Sequence, residues 1–301
     1  GIENFKELLD NNYYYVDKTK LIEDVLSDKV TLYTRPRRFG KTLNMSMLYY
    51  FFSNKEKENA YLFDGLYISK QQEAKSYQNQ YPVIFLSLKD MQSLNMEEQK
   101  KQFADIIKIN ILKNIELLDS KNIYETDKEV LNNLMFLNGD DVQLKNSLKT
   151  LSRCLYNHYH KKVIILIDEY DVPLQSAYNN GYYDEMVDFL RSMFSSALKT
   201  NDALERGILT GCLRISKESI FTGLNNFTVR NITDKEASDC FGFTQKEIDD
   251  LLKYYDLIEK RPEIKDWYDG YLFGKTEIYN PWSALNYIKK LLSDDQFLAI
   301  S

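Results

Sequence analysis

The chain has 301 residues, 44% of them hydrophobic and 28% charged, with 39 basic against 45 acidic residues and a formal net charge of −6. That length allows one large domain or two smaller ones, and the composition is ordinary for a globular chain. The acidic balance argues against a generally basic surface that coats nucleic acid, and no apolar run approaches the ~18 residues of a membrane span.

Residues 1 to 29 read as a short helix (Asn4 to Leu9), an aromatic turn (Asn11 to Val16) and a second helix (Lys18 to Leu26). Val30 to Tyr33 is the first core strand, and a helix apolar on most sides runs from Lys41 to about Phe52. Tyr81 to Leu88 is a second strand, with Pro82 at its entry where no ladder hydrogen bond is lost. Residues 91 to 160 carry the three-and-four spacing of three helices. Val163-Ile164-Ile165-Leu166-Ile167 has no alternation, which predicts a strand buried on both faces. An amphipathic helix over 183 to 199 and strands over 207 to 211 and 227 to 232 follow. Strands alternating with helices predict an α/β fold with a mostly parallel sheet. Thr244-Gln245-Lys246-Glu247 has capping-box spacing, and the segment 234–301 reads as a mainly helical lid on a 1–233 core.

Cys154, Cys212 and Cys240 lie far apart in no metal-binding spacing, which fits reduced, buried thiols and an expected cytoplasmic location. No signal segment is visible, although the chain opens at Gly1 and not at methionine. His158 and His160, two residues apart on a helix, face apart and make a poor metal pair.

The chemistry concentrates in Arg35-Pro36-Arg37-Arg38-Phe39-Gly40-Lys41-Thr42, with Leu43 following. Strand, tight loop and helix in that order, ending Gly-Lys-Thr, is the back half of a phosphate-binding loop. Helix N–H groups and the helix dipole would face phosphate, Lys41 would supply charge, and the Thr42 hydroxyl would ligate Mg²⁺. The full pattern wants glycine where Arg35 stands, and a bare Gly-Lys-Ser/Thr arises by chance in roughly one such chain in seven. The second half of the constellation is Asp168-Glu169, closing the apolar strand. Asp168 would hold Mg²⁺ and Glu169 would polarise the attacking water of a nucleotide hydrolase. Acidic groups at the end of a buried strand are costly unless used or paired. Thr210, at the end of the strand 207–211, is the candidate γ-phosphate sensor, with Arg214 or Arg206 nearby as a charge stabiliser.

Together with Ile167-Asp168-Glu169-Tyr170-Asp171, Trp267-Tyr268-Asp269-Gly270-Tyr271-Leu272-Phe273-Gly274, Tyr279-Asn280-Pro281-Trp282-Ser283, Tyr15-Val16-Asp17-Lys18-Thr19 and Tyr81-Pro82-Val83, the arginine loop resembles the prokaryotic AAA-ATPase-like proteins over nearly the whole chain. In that family the first loop glycine is commonly replaced as it is here. The resemblance implies a P-loop NTPase three-layer sandwich of the additional-strand type, using ATP and Mg²⁺, followed by a helical lid. It also implies a PD-(D/E)xK nuclease-like domain, expected beyond Ser301, and through it a DNA or protein partner. By analogy with related ATPases, Tyr15 is expected to cover the adenine and Pro281 to contact the base from the lid, while Trp267, Tyr268 and Trp282 are expected to pack between lid and sheet. Arg35, Pro36, Arg37, Arg38, Phe39, Gly40 and Leu43 complete the expected nucleotide-binding set. The alternatives are a nucleotide-binding module that does not hydrolyse, and a nucleic-acid binder that uses the arginine loop. Oligomeric state and biological process are left open.

Overall fold

The computed structural model describes residues 2–212, 220, 221, 224 and 227–292, with the side chains of residues 267–269 left aside. Two short helices, α1 (Phe5–Asp10) and α2 (Leu21–Ser27), precede strand β1 (Val30–Thr34) and helix α3 (Lys41–Phe52). After 3-10 turns and the single-turn α4 (Gln72–Lys75) comes β2 (Val83–Ser87). Four helices follow, α5 (Met96–Leu112), α6 (Glu125–Met135), α7 (Asp141–Lys145) and α8 (Ser147–Tyr159). Next are β3 (Val163–Asp168), α9 (Val172–Asn180), α10 (Tyr183–Phe194), β4 (Leu204–Gly211) and β5 (Phe227–Arg230).

These five strands form one sheet in the order β2-β3-β4-β1-β5, and every neighbouring pair is parallel. The apolar run of β3 explains the layering. Val163, Ile165 and Ile167 enter a core with α5, α6, α8 and α10, while Ile164 and Leu166 enter the opposite core with α3 and the N-terminal helices. Side chains of a strand alternate between faces, so a strand apolar at every position serves two cores at once. Helices on both faces of a parallel sheet give the three layers expected from the sequence, an α/β architecture compatible with a P-loop NTPase-like fold. The helix Val172–Asn180 between β3 and α10 was not expected; Pro173 in its first turn, where a missing N–H costs nothing, starts it.

The C-terminal part holds a feature missed in the sequence. Between helices α11 (Gln245–Tyr254), α12 (Arg261–Tyr268) and α13 (Pro281–Leu291) lies a small antiparallel sheet. Its strands are β6 (Phe243–Thr244), β7 (Asp269–Phe273) and β8 (Thr276–Tyr279), in the order β6-β8-β7. The β7–β8 turn is only Gly274-Lys275, with Gly274 at φ +58°, a left-handed conformation free of Cβ strain in glycine. The expected capping box is present: Thr244 Oγ1 accepts from Glu247 N, and the Glu247 carboxylate accepts from Thr244 N at 2.8 Å. A third core, including Phe243, Ile248, Leu251, Ile264, Tyr279 and Ile288, belongs to this unit. Among the described residues no helix is long and apolar enough to cross a membrane. Cys154 and Cys240 are buried, while Cys212 is only half-buried.

Candidate functional site

β4 lies between β1 and β3, and all three strands run parallel. Parallel strands bring their C-terminal ends to one edge of the sheet, so the loop after β1, Asp168-Glu169 after β3 and Thr210 on β4 meet there. This edge is where ligands of open α/β sheets bind.

The loop reaches α3 through two left-handed residues, Arg38 (φ +69°) and Gly40 (φ +77°). Gly40 is the N-cap of α3 and offers no side chain to it. Within a helix the first N–H groups have no carbonyl partner, so those of Lys41, Thr42 and Leu43 remain for an anion. Lys41 is buried, and its Nζ donates to the carbonyls of Arg35 (3.2 Å) and Pro36 (3.0 Å) and to Cys212 Sγ (3.3 Å). It also lies 3.6 Å from Glu169 Oε1.

Asp168 is fully buried. Its carboxylate accepts from Thr42 Oγ1 at 2.7 Å on one oxygen and from the Thr210 hydroxyl on the other. Burial pushes the Asp168 carboxyl above its ordinary range, and the Thr210 and Thr42 hydroxyls and the charge of Lys41 pull it back only in part. Glu169 is likewise raised by burial, against the pull of Lys41. Glu169 also sits at φ +57°, a left-handed conformation costing a non-glycine residue roughly 1–2 kcal/mol. Strained backbone of this kind clusters where a side chain must point into a site.

A fully buried carboxylate held only by two hydroxyls is an oxygen donor set suited to a hard divalent cation. Thr42 and Asp168 therefore fit Mg²⁺, completed by water and phosphate oxygens. No cluster of three or more His, Cys, Asp or Glu among the described residues offers a metal an all-protein cage.

A cleft of about 740 Å³ opens over the loop, bounded by Arg38 to Asn44 on the floor and by Glu169 on one side. Tyr15, Val16 and Lys18 from the N-terminal segment and Gly242, Phe243, Pro281 and Trp282 from the C-terminal unit form the other walls. Tyr15 and Pro281, expected at the base, both line it.

The three arginines of the loop separate. Arg37 is exposed and donates to Gln175 Oε1 at 3.2 Å. Arg38 is exposed and stacks its guanidinium 3.8 Å from the ring centroid of Trp282, at the cleft wall. Arg35, expected in the nucleotide-binding set, meets the loop through its backbone. It is fully buried and turned away from the cleft, donating to the carbonyls of Thr34 (2.9 Å), Arg230 (2.7 Å) and Ala237 (3.1 Å). Its guanidinium carbon lies 5.1 Å and 5.2 Å from the ring centroids of Phe241 and Phe273. Burial pulls its pKa down to about 10, so it remains a cation at neutral pH. Pro36 contributes only its carbonyl, to Lys41. Phe39 is buried and packs on Tyr271 and Phe273, centroids 4.9 and 5.4 Å away. Arg214 lies outside the described residues, as do the side chains of Trp267 and Tyr268; Trp282 is 48% exposed and not a core residue. Arg206 is far from a charge-stabilising role here, since its guanidinium donates to Asp28 O at 2.6 Å.

Sequence reasoning missed Lys18, which is buried and donates to both carboxylate oxygens of Glu247 (2.7 Å) and to Asp239 O (2.7 Å). It missed Cys212 beside Lys41 and Gly242 in the cleft wall as well. Gly242 (φ +78°) leaves no room for a Cβ, which would fall 2.4 Å from Ile278 and 2.7 Å from Phe39. No spacing rule links residues 171 positions apart, as Lys41 and Cys212 are, or 229, as Lys18 and Glu247 are, although an isolated glycine flanked by Phe241 and Phe243 is a signal of close approach.

Comparison with known proteins agrees with this geometry. The chain is 28% identical over 294 residues to the "uncharacterized protein in vnfD 5'region" of Azotobacter chroococcum mcd 1. The match covers 96% of this chain and 51% of that protein, so the chain spans about half the length of its relative. A family model described as "Predicted AAA-ATPase" matches residues 1–221. With its sheet order, its Gly40-Lys41-Thr42 loop and that match over most of its length, the chain belongs to the AAA-ATPase-like family.

Proposed function

We propose that the protein binds ATP with Mg²⁺ in the cleft over residues 38–44 and hydrolyses it slowly, as a switch. The observation that carries this reading is the convergence of Thr42 on Asp168 (2.7 Å) and of Lys41 on Glu169 (3.6 Å) at the floor of a cleft of about 740 Å³. Lys41 exchanges the neutral carbonyls of Arg35 and Pro36 for charged phosphate oxygens, a favourable trade for a cation whose one anionic neighbour, Glu169, stands at 3.6 Å. The free N–H groups opening α3 bind the same anion. Thr42 and Asp168 are the residues that would hold Mg²⁺, which when bound would supply positive charge against the phosphates. Glu169, raised by burial yet facing the cleft, takes a proton from the attacking water. Thr210 fixes the second oxygen of Asp168 and with it the orientation of the carboxylate. Tyr15 and Pro281 flank the base. Residues 234–292, which wall the cleft, act as the lid.

The nucleic-acid alternative is weakened by the fate of the arginines: Arg35 is buried and Arg38 stacks on Trp282. The test is a thermal shift with millimolar ATP and Mg²⁺, alongside phosphate release. The wild type should be stabilised by about 2.7 kcal/mol at a ligand concentration of 100 Kd, and Lys41→Ala should show no shift. An unshifted wild type would overturn the proposal, and a shift without phosphate release would support the non-hydrolysing module.

A further inference from the structure

Arg35 occupies the position where a phosphate-binding loop ordinarily has its first glycine, and its two ends do different things. Its backbone belongs to the loop: its N–H donates to Gly211 O at the end of β4 (3.0 Å), and its carbonyl accepts from Lys41 (3.2 Å). Its side chain joins the sheet to the C-terminal unit, donating to Thr34 O and Arg230 O on β1 and β5 and to Ala237 O, with the rings of Phe241 and Phe273 5.1 and 5.2 Å from its guanidinium carbon. Phe39, four residues on, packs on the same Phe273, and its carbonyl accepts from Gly242 N at 3.3 Å. A glycine at position 35 would leave the loop without the first of these ties.

We infer that Arg35 is a positioning residue for the loop, tying its backbone to segment 230–273 so that the seating of the C-terminal unit and the grip of the loop on phosphate change together. Arg35 never touches the nucleotide. A planar guanidinium can satisfy three carbonyls in fixed directions, which a flexible ammonium cannot. Because linkage is reciprocal, whatever factor the packing behind Arg35 contributes to phosphate affinity is returned by phosphate binding to that packing. The inference rests on the ATP proposal only for the identity of the ligand.

Two variants test it, Phe273→Leu, which removes one ring from behind the guanidinium and lies outside the cleft, and Arg35→Lys, which keeps the charge and loses the fork. Each is measured by amide hydrogen exchange without nucleotide and by ATP and ADP titration with Mg²⁺ well below the melting temperature. Exchange at the hydrogen-bonded amides that fix the loop, that of position 35 (to Gly211 O) and that of Gly242 (to Phe39 O), should rise about tenfold in both variants while β3 and α8 are unchanged, and affinity for both nucleotides should fall about tenfold. Adding ATP to the wild type should slow exchange in β7 and β8. Should Phe273→Leu fail to fold, Arg35→Lys carries the comparison. A variant that melts earlier but keeps wild-type loop exchange and wild-type affinity gives Arg35 a merely structural role and overturns the inference. A wild type that binds no ATP would sink the ATPase proposal instead, and the nucleotide-free exchange data would still decide whether Arg35 holds the loop.

Discussion

Replacing Asp168 by asparagine should stabilise the nucleotide-free protein while abolishing its turnover. The side chain is fully buried and receives two hydrogen bonds, from Thr42 and from Thr210. Both donors are hydroxyls that can rotate, so asparagine can accept from one and donate to the other. Changing two charge-assisted bonds into neutral ones loses about 1 kcal/mol each, roughly 2 kcal/mol together. Against this stands the cost of an ionised carboxylate removed from water, several kcal/mol. The balance favours asparagine by about 1–3 kcal/mol, which in a chain of this size raises the melting temperature by about 2–6 °C. The sign with pH follows from the raised carboxyl. The folded state binds the Asp168 proton more tightly than the unfolded chain does, so the wild type loses stability as pH rises upward from the ordinary value of 3.8. The advantage of asparagine should therefore be absent below about pH 4 and grow as pH rises above it. With the Mg²⁺ site discharged, hydrolysis should fall about a hundredfold or more. The assay is differential scanning calorimetry from pH 4 to 8 without nucleotide, beside phosphate release with Mg-ATP. An Asp168→Asn protein that melts below the wild type at pH 7.5 would refute the reasoning, since its fixed protein partners alone would then suffice for the charge.

Thr210→Val removes one donor to Asp168 and leaves a buried carboxylate oxygen unsatisfied, so the chain should lose about 1–3 kcal/mol, and a serine should restore most of it by urea denaturation. Gly242→Ala should cost about 2 kcal/mol or more, because the new methyl meets Ile278 and Phe39 at a left-handed φ of +78°; limited proteolysis should then release the C-terminal unit first. Lys18→Met should lower stability by about 3–5 kcal/mol by leaving the carboxylate of Glu247 without its cation. The double variant Lys18→Met with Glu247→Gln should recover part of that loss in a double-mutant cycle. A Glu247→Gln single variant as damaging as Lys18→Met fits this account, whereas a harmless one contradicts it.

Local pattern determined a great deal of this protein. The five strands, the helix from Lys41 to Phe52 and the capping box at Thr244 were legible because periodicity, apolar runs and caps are short-range effects written within a few residues. Lys41, Thr42, Asp168, Glu169 and Thr210 were legible as candidates because phosphate and cation chemistry needs those residue types at strand ends. The β6-β8-β7 sheet was not, since two of its strands have four residues or fewer and owe their state to pairing. Nor were the directions taken by side chains in the arginine loop. Three arginines within four positions look equivalent along the chain, yet Arg35 is buried among carbonyls and rings, Arg37 reaches Gln175 and Arg38 lies on Trp282. Only the fold could decide that, because it brings residues 230–282 against a loop some 200 positions earlier and buries the Arg35 guanidinium against three carbonyls and two rings.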